Sequence, residues 1–272
     1  MITRFAPSPT GPLHLGHAWA AMVADDLGNM LLRIEDIDQS RARPEWEAAI
    51  YNDLHWMGLD WPTPVMRQSD RLTSYTAALD RLWNAGVLYP CTCNRRDIQT
   101  AASAPQENAP LMGPDGIVYP GTCRGAARTG PRPDGMALRL DADAVPNLSW
   151  TERGSPRSMP ADTFVRSIGD IVIARREMGT SYHLAVTIDD AAQGIDLVTR
   201  GEDLAEATPI HVALQRLLDL PTPTYHHHDL VRDADGRRLA KRDDARSIAS
   251  YRSSGWLAGD LIAHLRRSRI AP

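Results

Sequence analysis

The stretch RFAPSPTGPLHLGH, Arg4 to His17, passes from a short strand into a turn crowded with proline and glycine and then into a helix. Residues 2–6, ITRFA, read as a strand that stops at Pro7-Ser8-Pro9, because proline fixes φ and lacks the N–H a ladder needs. A helix is predicted from Leu15 to about Met30, and LLRIEDID, Leu31 to Asp38, reads as a second strand, apolar first and acidic at its C-terminal end. Strand, glycine-containing loop, helix, strand is the opening of a βαβ unit, and it sets the chain in the α/β class.

Within that opening, His14 and His17 stand three apart at a helix N-terminus and share a face. Such an end offers backbone N–H groups and a positive dipole, both suited to phosphate, and Gly16 leaves room for a nucleotide close to the backbone. A metal pair would lack a third nearby ligand, and two ordinary surface histidines are the plain alternative. Further along, Pro44 starts a helix from Glu45 to Met57 that ends at Gly58, with Trp46, Ile50 and Leu54 on one apolar face. Another, capped by Ser69, carries Leu72, Tyr75, Leu79 and Leu82 and closes at Gly86. After Tyr89 the chain turns rich in Pro, Gly, Ala and Arg, with only short strand-like pieces such as Met136–Leu140, so residues 94–160 are expected to be loop-rich or stapled by metal. Regular patterning resumes with GDIVIARRE. SYHLAVTIDD (Ser181–Asp190) is expected to be a strand running into a helix, GIDLVTRGEDL a strand, Ala207–Leu218 a helix, and His226-His227-His228 a loop. The expected division is an α/β catalytic part in two halves, 1–88 and 181–230, an insertion over 89–180, and a closing segment over 231–272.

The 272 residues are 43% hydrophobic and 24% charged, an ordinary soluble composition. No apolar run approaches the ~20 residues of a membrane span. The N-terminus lacks the basic and apolar regions of a signal peptide, so a cytoplasmic location is expected. A net charge of −4 argues against a broad nucleic-acid coat. Arginines do cluster locally at Arg232, Arg237, Arg238, Arg242 and Arg246 and again at Arg266, Arg267 and Arg269, where a solvated helix face is the plain reading. Among thirty basic residues only Lys241 is lysine. A compact ammonium on a flexible stem differs from a planar guanidinium fork, so a site needing one mobile point charge against phosphate would resist the exchange.

The three cysteines, Cys91, Cys93 and Cys123, fall in one segment. An odd number in a cytoplasmic chain argues against a disulfide framework, and Cys-x-Cys plus a third cysteine suggests zinc, which wants four ligands. No histidine lies between His55 and His183, which leaves Asp97, Asp115, Asp134 or Tyr119 as the fourth, or else three buried thiols. Arg4, Glu35, Tyr182 and Arg200 are expected at strand ends, where open α/β sheets place ligands. Glu35 could hold an ammonium and the arginines could hold carboxylates bidentately, the alternative for each being a surface ion pair.

These motifs resemble a known family. HLGH after FAPSPTGP is similar to the "HIGH" signature of class I aminoacyl-tRNA synthetases, and RFAPSPTGPLHLGH with LLRIEDID resembles the glutamyl subgroup. The second signature, Lys-Met-Ser-Lys in form, maps onto Arg238-Leu239-Ala240-Lys241, with arginine for the first lysine and alanine for the serine. The resemblance implies a Rossmann-type catalytic domain with a zinc-stapled insertion, a short C-terminal helical segment and no anticodon-binding domain. It implies catalysis by His14, His17 and Lys241, and ATP with Mg²⁺ held at His14, Gly16, His17, Arg238, Leu239 and Lys241. It places L-glutamate at Arg4, Phe5, Ala6, Pro7, Ser8, Glu35, Tyr182 and Arg200, and Zn²⁺ at Cys91, Cys93, Tyr119 and Cys123. The short C-terminus with that zinc site resembles the glutamyl-queuosine tRNA(Asp) synthetases, which implies a monomer that activates glutamate without tRNA and esterifies queuosine in tRNA(Asp). Two other expectations stand beside it: charging of the 3′ end of tRNA(Glu) or tRNA(Gln), and a silent relative that binds tRNA or a partner. The Walker pattern of P-loop enzymes is absent.

Overall fold

The structure is a computed structural model and describes residues 1–102, 111–233, 235–237, 239 and 246–272. The chain divides into two compact units. Residues 1–70, 194–205 and 223–272 form one, and residues 71–193 and 206–222 form the other.

The first unit is built on parallel strands. Ile2–Phe5 pairs in parallel with Asn29–Ile34, Ile2 opposite Asn29 and Phe5 opposite Leu32, and the short strand Met66–Arg67 extends that sheet. Leu197–Gly201 pairs in parallel with Thr224–His228. It also lies alongside the first strand, where the Asp196 N–H donates to the Ile2 carbonyl and the Arg4 guanidinium to that of Thr199. The helix Leu15–Leu27 buries Leu15, Ala18, Trp19, Met22 and Val23, an apolar surface too broad for one stripe, so it lies deep against the sheet. It ends three residues short of the expected Met30, which belongs to the next strand. Gly28 explains the sharp change: a Cβ there would lie 2.4 Å from the Met1 carbonyl oxygen, so only glycine lets the two segments come so close. The helix Pro44–Trp56 buries Ile50 and Leu54 completely, each contributing about 1.5–3 kcal/mol relative to exposure. Gly58, at φ +74, takes the left-handed turn beyond its end.

The second unit carries an antiparallel sheet in which Ala137–Leu140 lies between Leu88–Cys91 and Val172–Ala174. It also contains the hairpins Met112–Gly113 with Gly116–Ile117 and Leu148–Glu152 with Ser155–Met159, and the helices Leu72–Asn84, Arg95–Ala102, Ala161–Ser167, Tyr182–Ala192 and Thr208–Leu217. Residues 94–160 therefore hold more regular structure than their composition suggested. Two buried carboxylates tie distant segments together. Asp189 accepts from the Arg71 guanidinium at 2.6 Å and the Tyr75 hydroxyl at 2.7 Å. Asp170 accepts two N–H groups of Arg124, the Tyr89 hydroxyl and the backbone N–H of Ala142.

Three local expectations are corrected. Ser69 does not cap a helix: its N–H and hydroxyl bond the Asp36 carboxylate, a 3-10 turn spans Gln68–Arg71, and the helix begins at Leu72. Ser181–Asp190 contains no strand, because the Ser181 hydroxyl accepts from the Leu184 N–H and starts a helix at Tyr182. Tyr182 thus sits at a helix start rather than a strand end. His226, His227 and His228 lie within the strand Thr224–His228, their polar side chains hiding its backbone pairing.

Candidate functional site

In the first unit, the C-terminal ends of adjacent parallel strands gather several of the expected residues. Arg4 and Phe5 end the first strand, Ala6, Pro7 and Ser8 follow it, Glu35 follows the second, and Arg200 lies near the end of Leu197–Gly201. Open parallel sheets place ligands there because the connecting loops diverge and leave a crevice. The Glu35 N–H donates to the Pro7 carbonyl at 3.0 Å, which draws the two loops together. Arg33, with a fully buried side chain, sits 3.3 Å from the Glu35 carboxylate and orients it. Arg4 and Arg200 are both buried. A guanidinium has five N–H donors. Arg4 gives one to the Thr199 carbonyl at 2.7 Å, and Arg200 gives its Nε–H to His227 Nε2 at 3.1 Å while its charge lies over the Tyr225 ring. His227 thus positions an arginine, a role a run of three histidines did not suggest.

The HLGH turn completes this unit's chemistry. His14 is the residue preceding the helix, in extended conformation, and its Nδ1 accepts from the Gly16 N–H at 3.1 Å. The Nδ1 of His17 accepts in turn from the His14 N–H at 3.1 Å, so the two side chains form a reciprocal cap. Their rings lie 3.8 Å apart between centroids. Backbone N–H groups that the sequence suggested for phosphate are therefore partly taken by the two imidazoles. Gly16 fits closely under this cap, since a Cβ there would meet the His14 ring at 2.9 Å. The segment bearing the second signature returns to the same place: Ser247 bridges to His14, and the Ile248 N–H donates to the Leu13 carbonyl at 2.9 Å. Leu239 packs against the core of this unit. Arg238, Ala240 and Lys241 lie outside the described residues.

The second unit holds the remaining expected groups. Tyr182 stands edge-on to the rings of His183 and His211. His183 Nδ1 lies 3.0 Å from His211 Nε2, and its Nε2 lies 3.7 Å from Asp115. Asp115 is thereby engaged with His183 and is not part of the cysteine group. Cys91, Cys93 and Cys123 come together, their sulfurs all within 4.8 Å of one another. The Tyr119 hydroxyl closes the group at 3.5 Å from Cys91 Sγ and 3.3 Å from Cys93 Sγ, and Cys93 Sγ lies 3.5 Å from Cys123 Sγ. A tetrahedral zinc with sulfur ligands at ~2.3 Å has edges near 3.8 Å, somewhat shorter to oxygen, so this donor set fits such an ion. Arg139, missed in the sequence, lies 3.7 Å from the centre of the Tyr119 ring, and its Nε donates to Cys91 Sγ at 3.3 Å, a cation placed to offset thiolate charge. Burial pushes the Cys123 thiol up, but hydrogen bonds from Tyr119, Thr92 and Cys93 outweigh it and bring it down to about 6. Burial raises Tyr119 well above the ordinary phenol value, and its hydrogen bonds to the three cysteines raise it further.

Comparison with known proteins bears on both units. The model of the family "tRNA synthetases class I (E and Q), catalytic domain" matches residues 1–115 and 158–272, leaving the stretch with Tyr119 and Cys123 unmatched. A Rhodobacter capsulatus protein named Glutamyl-Q tRNA(Asp) synthetase is 59% identical, over 96% of this chain and 98% of that protein. A Nocardia farcinica protein of the same name is 42% identical, over 99% of this chain and 85% of that one. Among solved structures, the glutamate tRNA ligase of Elizabethkingia meningosepticum in complex with its amino acid is similar at a TM-score of 0.72 and 25% identity, over 96% of this chain. The chain spans 59% of that ligase.

Proposed function

Because the chain belongs to the class I tRNA synthetases of the glutamate and glutamine type, we propose that it activates L-glutamate with ATP without requiring tRNA, then transfers the glutamyl group to queuosine in tRNA(Asp). The carrying observation is the relative named Glutamyl-Q tRNA(Asp) synthetase, identical at 59% of positions over nearly all of both chains. The geometry of the first unit supports the activation step. Glu35 takes the ammonium of glutamate, and Arg4 and Arg200 take its carboxylates. The substrate α-carboxylate attacks the α-phosphorus of ATP, the bond to the bridging oxygen breaks, and pyrophosphate leaves. His14, His17 and Lys241 stabilise the charge that develops on the phosphates, with Mg²⁺ accompanying ATP, so the residues act by positioning and electrostatics rather than as nucleophiles. A hydroxyl of the queuosine cyclopentenediol then attacks the acyl carbon and AMP leaves. We assign Zn²⁺ to Cys91, Cys93, Tyr119 and Cys123 as a structural ion that staples this part of the chain.

Three experiments test this reading. The purified protein is expected to exchange label between pyrophosphate and ATP with L-glutamate alone, and much less with glutamine, whose neutral amide leaves an arginine without its carboxylate. Labelled glutamate is then expected on queuosine-containing tRNA(Asp), resistant to periodate treatment of the 3′ end, and absent from the unmodified transcript. Label on the 3′ adenosine of tRNA(Glu) would replace this acceptor, and no exchange with any amino acid would leave only a silent tRNA-binding relative. About one zinc per chain is expected, lost on Cys123→Ser; less than about a tenth of an equivalent after gentle purification would reject the assignment.

A further inference from the structure

Within the second unit a cavity of about 720 Å³ opens beside the cysteine–tyrosine centre, inside the ~300–1,000 Å³ range of small-ligand sites. Its inner wall is apolar, formed by Ile98, Ile117 and Val172. Its rim is charged: Arg95, Arg175, Arg176 and Glu177 line it and are exposed. The Arg95 and Glu177 side chains have no hydrogen-bond or ion-pair partner among the described residues. Two further carboxylates of the lining are already engaged: exposed Asp115 beside His183 and within the field of Arg175, and buried Asp170 with Arg124. Rim charge is thus mostly positive, with one carboxylate unspent.

We infer that this cavity holds one nucleotide of the RNA substrate: its base lies on the apolar wall, its phosphate on Arg95 and Arg175, and its base edge donates to Glu177. Three chemistries are required by such a ligand and all three are present together. Guanidinium forks suit phosphate oxygens, an apolar wall suits the face of any base, and a carboxylate accepts from the amino or ring N–H that only some bases carry. The cysteine centre would set this site's shape, since Cys93 lines the cavity and leads directly through Asn94 into Arg95. Arg176 is tied to the same loop by donating to the Thr92 carbonyl at 2.8 Å, between two of the cysteines. The role is recognition of RNA, distinct from the glutamate-activating residues of the first unit.

This inference rests on the reading that the acceptor is a tRNA, so the experiment separates the two. The double variant Arg95→Ala/Arg175→Ala is measured for pyrophosphate exchange with glutamate and for the Kd of queuosine-containing tRNA(Asp) at several salt concentrations. Exchange is expected to stay within about twofold of wild type while Kd rises at least tenfold and the salt slope falls by one to two. Glu177→Gln is expected to weaken tRNA less, about two- to fivefold, with the salt slope unchanged. An unchanged Kd for the double variant, or an equal fall in exchange and binding, overturns the proposal. Failure of wild-type exchange would instead strike the activation reading and leave the binding comparison standing on its own.

Discussion

Lys241→Ala is expected to lower glutamate-dependent pyrophosphate exchange by about a hundredfold, or ~2.7 kcal/mol of transition-state stabilisation, with the fold intact. Charge develops on the phosphates as pyrophosphate leaves, and a mobile ammonium placed there acts mainly in the transition state. The described residues Leu239 and Ser247, before and after this position, are both bound to the first unit: Leu239 packs on its core, and Ser247 bridges to His14 at the start of the helix Leu15–Leu27. Lys241→Arg is the stricter experiment, since it retains charge and alters shape, and a loss of at least tenfold is expected. Full activity in the arginine variant would mean that the sole lysine carries no special role.

Asp170→Ala is expected to destabilise the second unit by about 3–5 kcal/mol. Asp170 is 2% exposed and receives four donors from three segments of the unit: two from Arg124, one from Tyr89 and one from the Ala142 backbone. Deleting the carboxylate leaves a partly buried guanidinium, a buried phenol and a buried N–H without their acceptor, and the cost is that of uncompensated desolvation. Asp170→Asn keeps the shape and part of the hydrogen bonding, so it should lose clearly less. Urea unfolding followed together with hydrogen exchange in the sheet around Ala137–Leu140 reads the effect where it arises. A midpoint within error of wild type for the alanine variant would show that the network is solvated and contributes little.

The sequence was most readable where the physics is local. Proline and glycine fixed the turn after Phe5, and Gly58 marked a helix end, because each acts through its own backbone. Ser181–Asp190 was misread because His183, Leu184, Ala185, Val186 and Thr187 are all buried, and a helix covered on nearly every side loses the periodic pattern that identifies it. The cap signal at Ser181 was the clue available. His226–His228 was misread for the opposite reason, since polar side chains concealed strand pairing that lies wholly in the backbone. The candidate site residues rest on motif resemblance, whereas their supports show only in the structure: His227 behind Arg200, Arg33 behind Glu35 and Arg139 behind Tyr119 depend on pairings that no local pattern encodes.

The reciprocal cap at His14 and His17 has a consequence for protons. An Nδ1 that accepts from a backbone N–H carries no hydrogen, so a neutral ring in this arrangement must be the Nε2–H tautomer. In that tautomer an imidazole would act on a phosphate by direction rather than by net charge. Protonating either ring would set two donors against each other, Nδ1–H facing the backbone N–H it now serves, and would undo the start of the helix along with the cap. In the proposed reaction, the pair would contribute direction, and the positive charge that balances the phosphates would come from Lys241, the arginines and the accompanying cation.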